Sequence, residues 1–187
     1  PALPVCPSSL LSAGSCGVLP AVFLSLEEDK KYPKEEMVKA LYVSAGIGGI
    51  IAQRASVSGA AGGCQAEIGA ASAMAAGGVA FLLGGDAEAI SHAAAMAMKN
   101  LLGLACDPVA GLVEVPCVKR NVIGAVNALT SADLAGAGIR SRIPPDEVFD
   151  AMRSVGRMLP EDLKETGKGG LAATPTGIAF RDNLKTF

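Results

Sequence analysis

The run IGAASAMAAGGVAFLLGG, residues 68–85, carries no charge over 18 residues and is bounded by Glu67 and Asp86. That run limits the fold more than any other feature. It barely reaches the length that spans a bilayer, and its alanine, glycine and serine content suits a helix buried on all sides instead. Burial of such a helix requires other helices around it, packed with their backbones close. Composition agrees, because 50% of the 187 residues are apolar while only 4% are aromatic. We therefore expect a soluble protein with one core rather than a membrane span.

The rest of the chain reads as helix after helix, separated by glycine and proline. From Pro33, KEEMVKALYVSAGIGGIIAQRAS begins with acidic residues in its first turn and predicts a long helix. SVSGAAGG should break it as a loop or sharp turn. A second helix is expected from Cys64 to about Leu83, ended by Gly84-Gly85. Asp86 is the expected N-cap of AEAISHAAAMAMKNLLG, which stops at Gly103. Asp107-Pro108 through Pro116 reads as a connecting loop, and Cys117 opens the helix VKRNVIGAVNALTSADLAGAG. SRIPPDEVFDAMRSVGRML adds one more helix, with Pro144-Pro145 and Asp146 at its start. LKETGKGGLAATPTGIAF reads as a glycine-rich loop. With no alternating strand pattern of useful length, the fold class is all-α, a compact bundle of Ala/Gly-rich helices over residues 1–187 as a single domain.

Several functional classes are excluded early. The net charge of −2 and the absence of a basic stripe argue against a nucleic-acid partner. GKGG and AGIGGII lack both a preceding strand and the spacing of a nucleotide-binding loop. The apolar start PALPVCPSSLLSAGSCGVLPAVFLSL has no basic leader region and contains four prolines, so it is not read as a signal peptide. Five irregularly spaced cysteines do not describe a secreted disulfide framework, and a cytoplasmic, reducing setting fits better.

Three of those cysteines are placed suggestively. Cys64 follows Gly62-Gly63, Cys117 follows Pro116, and each starts a helix, where free N–H groups and the helix dipole favour a thiolate. Cys106 sits in a loop just beyond a helix, close to Pro108. They read either as small buried hydrophobes or as metal ligands, and no CxxC pair decides between these. Three protein thiolates on a [4Fe–4S] cluster would leave one iron open as a Lewis acid, whereas four thiolates suit electron transfer. Cys6 or Cys16 could complete a set of four.

GGCQAEIGAASAMAA, KNLLGLACDPVAGLVEVPCVKRN and GAVNALTSADLAGAGIRS, with AGSCGVLPA and GRMLPEDLKETGKGGLAATPTG, strongly resemble the α subunit or α domain of iron–sulfur-dependent L-serine dehydratase. The likeness runs from about Ser12 to about Gly177. It implies a [4Fe–4S] cluster on Cys64, Cys106 and Cys117 and conversion of L-serine to pyruvate and ammonia without pyridoxal phosphate. It also implies a β subunit or domain as partner, within a homo-oligomer. Residues 1–11 diverge from the family pattern, in which the α region extends further upstream, so the domain is expected to be N-terminally incomplete. Candidates for the base that takes the α-proton are His92, Lys99 and Lys119. His92 and Lys99 lie seven residues apart, on a helix face expected to point toward Cys106. The AGSCG turn (Ser15, Cys16, Gly17) and Glu67 are candidate substrate-binding groups, with Glu67 facing the ammonium. Two other readings stand beside this one: a cluster-free helical packing module, and a redox protein using Cys16 as fourth ligand. A related substrate such as threonine also stays open.

Overall fold

The computed structural model describes residues 15–112 and 114–184; Cys6 and the divergent segment 1–11 lie outside the described residues. The described residues form eight α-helices and no β-strand: α1 (Val18–Lys30), α2 (Lys34–Arg54), the single turn α3 (Gly59–Gly62), α4 (Ala70–Leu82), α5 (Ala87–Lys99), α6 (Cys117–Gly136), α7 (Pro145–Met158) and α8 (Pro175–Leu184). A π-helical turn, Gln65–Gly69, leads into α4. The all-α expectation holds.

Helix α4 is the axis of the bundle. Every residue from Ala70 to Ala80 is buried, and α1, α2, α5 and α6 pack around it. The uncharged run is thus covered by protein as far as Ala80 and emerges at Leu83, and among the described residues no helix is long and apolar enough to cross a membrane. Its small side chains set the packing distance. A methyl group added at Gly78 would strike the Ser44 hydroxyl, approach Phe23 Cζ to 2.6 Å and reach the Ala40 carbonyl at 3.0 Å. Larger side chains then fill the margins of the core. Ile51, Ile68, Met98 and Met152 are fully buried, and each such side chain contributes about 1.5–3 kcal/mol.

Local chemistry explains the helix ends. Asp86 caps α5 by accepting a hydrogen bond from the Ala89 N–H at 2.8 Å. Glu35 and Glu36 in the first turn of α2, and Arg54 in its last, match the helix dipole. Pro145 opens α7, whose buried Val148, Phe149, Met152 and Gly156 form one face. Arg54 reaches across to Asp150 at 2.7 Å, tying the end of α2 to α7.

Some expectations need correcting. The apolar start, for which no element was assigned, forms α1, because Pro20 falls in the first turn, where its missing N–H is not needed. The tail was expected to be a loop throughout, but α8 forms from Pro175. Thr174 caps it, its hydroxyl accepting from the Gly177 N–H at 3.2 Å. Helix α5 ends at Lys99, one turn short of Gly103.

The close approach of α2 to α4 predicts opposite outcomes at two glycines. Gly78→Val should destabilise the fold by about 1–3 kcal/mol through overpacking. Gly46→Ala, where an added methyl meets nothing within 4 Å, should stabilise it by up to about 1 kcal/mol. Urea unfolding of both variants checks this, and equal midpoints would contradict the packing described.

Candidate metal centre

Two buried thiols, Cys64 and Cys106, meet where the beginning of the π-turn and the loop after α5 converge, and a third, Cys117, lies near them at the beginning of α6. Cys64, Cys106 and Cys117 are 0%, 2% and 4% exposed, while Cys16 is exposed, and all four are free thiols. The backbone positions each one. Gly63 adopts φ +77°, and a side chain there would meet the Leu104 carbonyl at 3.0 Å and Leu159 Cδ1 at 2.6 Å. The chain therefore runs flush against residues 104–105, and the Gln65 N–H donates to the Leu104 carbonyl at 3.0 Å. Cys106 lies in an isolated parallel bridge with Lys164: its N–H donates to Leu163 and its carbonyl accepts from Glu165, both at 2.8 Å. Ile68, Leu101 and Leu104 wall the Cys64–Cys106 pair with apolar surface.

The thiols differ electrostatically. Cys64 and Cys106 share a hydrogen bond, which holds the Cys64 thiol below its ordinary value and pushes Cys106 well above its own. Burial raises Cys117, although that residue opens a 20-residue helix. Burial is the largest influence at Cys117 and opposes the thiolate that a helix start was expected to favour. At Cys64 the neighbouring thiol outranks every other influence.

Charged groups complete the site. Arg120 Nη1 donates to the Ala105 carbonyl at 2.8 Å and lies 2.8 Å from Asp107 Oδ1, so the guanidinium grips the residues on both sides of Cys106. It also hydrogen-bonds Cys64. Asp107, 6% exposed at its side chain, accepts a hydrogen bond at Oδ2 from the Leu171 N–H at 2.8 Å. Glu67 is buried and accepts from the Gly59 N–H at 3.1 Å. A methyl group at Gly59 would lie 2.8 Å from Glu67 Oε1 and 3.1 Å from Cys106 Sγ, so the carboxylate and the thiol converge on one bare stretch of backbone. The Glu67 charge works against ionisation of all three cysteines.

Other expected site residues are distributed unevenly. The Ser15–Gly17 turn precedes α1, with Ser15 buried and Gly17 facing Asn121 across a groove of about 300 Å³ lined mainly by apolar residues. Asn121 Nδ2 donates to the Cys117 carbonyl at 3.0 Å, so this turn lies beside the start of α6. Lys99 ends α5 on the side of the thiols, and Lys119 is exposed on α6. His92 is not brought to the thiols. Its Nε2 lies 3.7 Å from Glu88 Oε1, which also accepts from Arg140 Nε at 3.2 Å, just past the far end of α6. Asn127 anchors to the Ala97 carbonyl at 2.9 Å and sets the antiparallel register of α5 and α6. In that register His92 lies roughly 20 Å along the helix pair from Cys117. The expected face contains His92, but the wrong end of the helix carries it.

The sequence reading missed Arg120, Asp107 and Gln65. A spacing signal for Arg120 was present: three residues after Cys117 it shares that residue's helix face, whereas Lys119, two residues after, does not. Gln65 is fully buried and donates to the carbonyls of Gly62 at 2.9 Å and Met152 at 3.1 Å while accepting from the Gly103 N–H at 2.9 Å. Its amide fastens the Cys64 turn to α7 and to the loop leading to Cys106.

Among the described residues, no set of three His, Cys, Asp or Glu side chains is gathered tightly enough for a single metal ion. Fold and site together define an all-helical protein that converges three buried thiols, two carboxylates and one guanidinium at the ends of its helices. The serine dehydratase alpha chain family matches residues 3–172, a span that begins within the segment read as divergent. The chain is 55% identical over 170 residues to a probable L-serine dehydratase alpha chain of Latilactobacillus sakei, covering 91% of this chain and 81% of that protein. It is 55% identical over 166 residues to a probable L-serine dehydratase alpha chain of Bacillus subtilis (strain 168), covering 89% and 55%. It is 48% identical over 175 residues to the L-serine dehydratase alpha chain of Peptoniphilus asaccharolyticus, covering 93% and 60%. The chain belongs to the serine dehydratase alpha chain family. It spans little more than half the length of the latter two relatives.

The amide network predicts that Gln65→Leu lowers stability by about 2–4 kcal/mol, because two buried carbonyls and one N–H lose their partner. Chemical denaturation measures this, and an unchanged midpoint would show that the amide does not hold the loops together.

Proposed function

We propose that this chain is the cluster-bearing catalytic part of an L-serine dehydratase, converting L-serine to pyruvate and ammonia without pyridoxal phosphate. The observation that carries the reading is the burial of Cys64, Cys106 and Cys117 around one guanidinium, in a chain of this family. Those three thiols would hold a [4Fe–4S] cluster. The donor set suits it: all three are sulfur, buried and free, and a cluster spreads its thiolates over several irons, so the tight grouping that a single ion needs is not required. Uptake replaces the Cys64–Cys106 hydrogen bond. When bound, a cluster with three protein thiolates supplies one iron with an open position, a Lewis acid toward the departing hydroxyl.

The chain's own residues supply the remaining functions. Glu67, a buried carboxylate beside Cys106, is placed to receive the substrate ammonium. The Ser15–Gly17 turn, linked to Cys117 through Asn121, offers a substrate contact on the other side. The apolar wall of Ile68, Leu101 and Leu104 limits water near the thiols. Removal of the α-proton falls to a base at this end of the bundle, where Lys99 and Lys119 remain the candidates, His92 being at the far end of α5. Loss of the proton and the β-hydroxyl leaves aminoacrylate, which tautomerises and hydrolyses to pyruvate and ammonia. A β chain or domain is the proposed partner in a homo-oligomer, in line with the alpha-chain names of the relatives.

Anaerobic reconstitution tests the reading. About four irons per chain, lost in each of Cys64→Ser, Cys106→Ser and Cys117→Ser but kept in Cys16→Ser, is the expected result. No cluster in the parent chain would favour the packing-module reading, and its loss in Cys16→Ser would favour the redox one. With the β partner added, pyruvate should form from serine. Glu67→Gln should raise KM about tenfold or more with iron content unchanged, since one charge-assisted hydrogen bond is lost. An unaltered KM would remove Glu67 from the substrate site.

A further inference from the structure

Arg120 touches the surroundings of all three thiols at once. It stands one turn after Cys117 on α6, binds the Ala105 carbonyl and Asp107 on either side of Cys106, and hydrogen-bonds Cys64. Its side chain is 19% exposed and that of Asp107 only 6%. A buried guanidinium is costly unless its charge is answered, and one carboxylate already answers it. The Arg120 contact with Cys64 adds a sulfur to those partners. Asp107 is itself fixed, because the Leu171 N–H binds its other oxygen and Gly170 leaves no side chain against it. The segment that provides those contacts also holds Cys106 through Leu163 and Glu165.

We propose that Arg120 is the positioning residue of the three-thiolate site, compensating the negative charge of a bound iron–sulfur cluster and setting its reduction potential, with Asp107 orienting the guanidinium. This rests on the cluster reading above. A cluster held by three thiolates carries net negative charge with its ligands, and charge and hydrogen bonds at the sulfurs govern both its retention and its potential. The guanidinium serves Ala105 and Asp107 through Nη1 and reaches the sulfur of Cys64 as well. A lysine would keep the charge but would lack the planar, multi-donor head that meets carbonyl, carboxylate and sulfur together.

The experiment compares the parent chain with Arg120→Gln, Arg120→Lys and Asp107→Asn after anaerobic reconstitution. It measures iron and sulfide per chain, cluster retention against a chelator, and midpoint potential by a titration followed in the electron paramagnetic resonance spectrum. Circular dichroism checks that each variant folds. Arg120→Gln should weaken cluster retention about 10–100-fold and move the potential to more negative values. Arg120→Lys should keep a potential near that of the parent while losing part of the retention, and Asp107→Asn should weaken retention without the negative shift. A folded Arg120→Gln protein with parental retention and potential would overturn the proposal while leaving the cluster reading intact. Equal shifts in Arg120→Gln and Arg120→Lys would overturn the charge role. A parent chain that takes up no cluster would overturn both readings together.

Discussion

A helix built mostly of alanine, glycine and serine has few large side chains with which to hold its neighbours at a distance. In this protein that helix, α4, is buried from Ala70 to Ala80, and the surrounding helices approach until backbone and side-chain tips touch. Stability then comes from close packing over a long contact rather than from bulky aromatic groups, of which the sequence has few. The same closeness brings the turn before α4, the loop after α5 and the start of α6 to one end of the bundle. The thiol site is the product of that convergence.

Electrostatics at the site runs against the usual preference of a protein interior. Two carboxylates, a guanidinium and three thiols share a region from which water is largely removed. Asp107 and Arg120 answer one another, Glu67 is held by the Gly59 backbone, and Cys106 is held by the tail segment through backbone bonds alone. Such an arrangement contributes little to stability compared with an apolar equivalent. Its value lies in chemistry: it holds three thiols and compensating charge in fixed positions, with a carboxylate directed at the same place.

Much of this was legible in the sequence. The uncharged run announced the central helix α4, Asp86 announced the start of α5, and Gly62-Gly63 and Pro116 marked the turns that carry Cys64 and Cys117. Two kinds of feature were not legible. One is helix formation governed by the first turn alone: Pro20 and Thr174-Pro175 look like breakers in a linear reading, yet both suit a helix start. The other is position along a helix axis. Periodicity identifies the face of α5 that includes His92 and Lys99, but not which end of it meets the thiols; the register set by Asn127 decides that. Arg120 was overlooked beside Lys119 although its spacing from Cys117 favours it. Gln65 and Asp107 act through backbone groups far away in sequence, which no local pattern reveals.

The central claim is that three thiols hold a cluster with one iron left for substrate. Mössbauer spectroscopy of the chain reconstituted with iron-57, with and without L-serine, tests it most directly. The account predicts that about one quarter of the iron changes its spectrum when serine is added, while the rest does not. Four irons that are indistinguishable and indifferent to serine would contradict it.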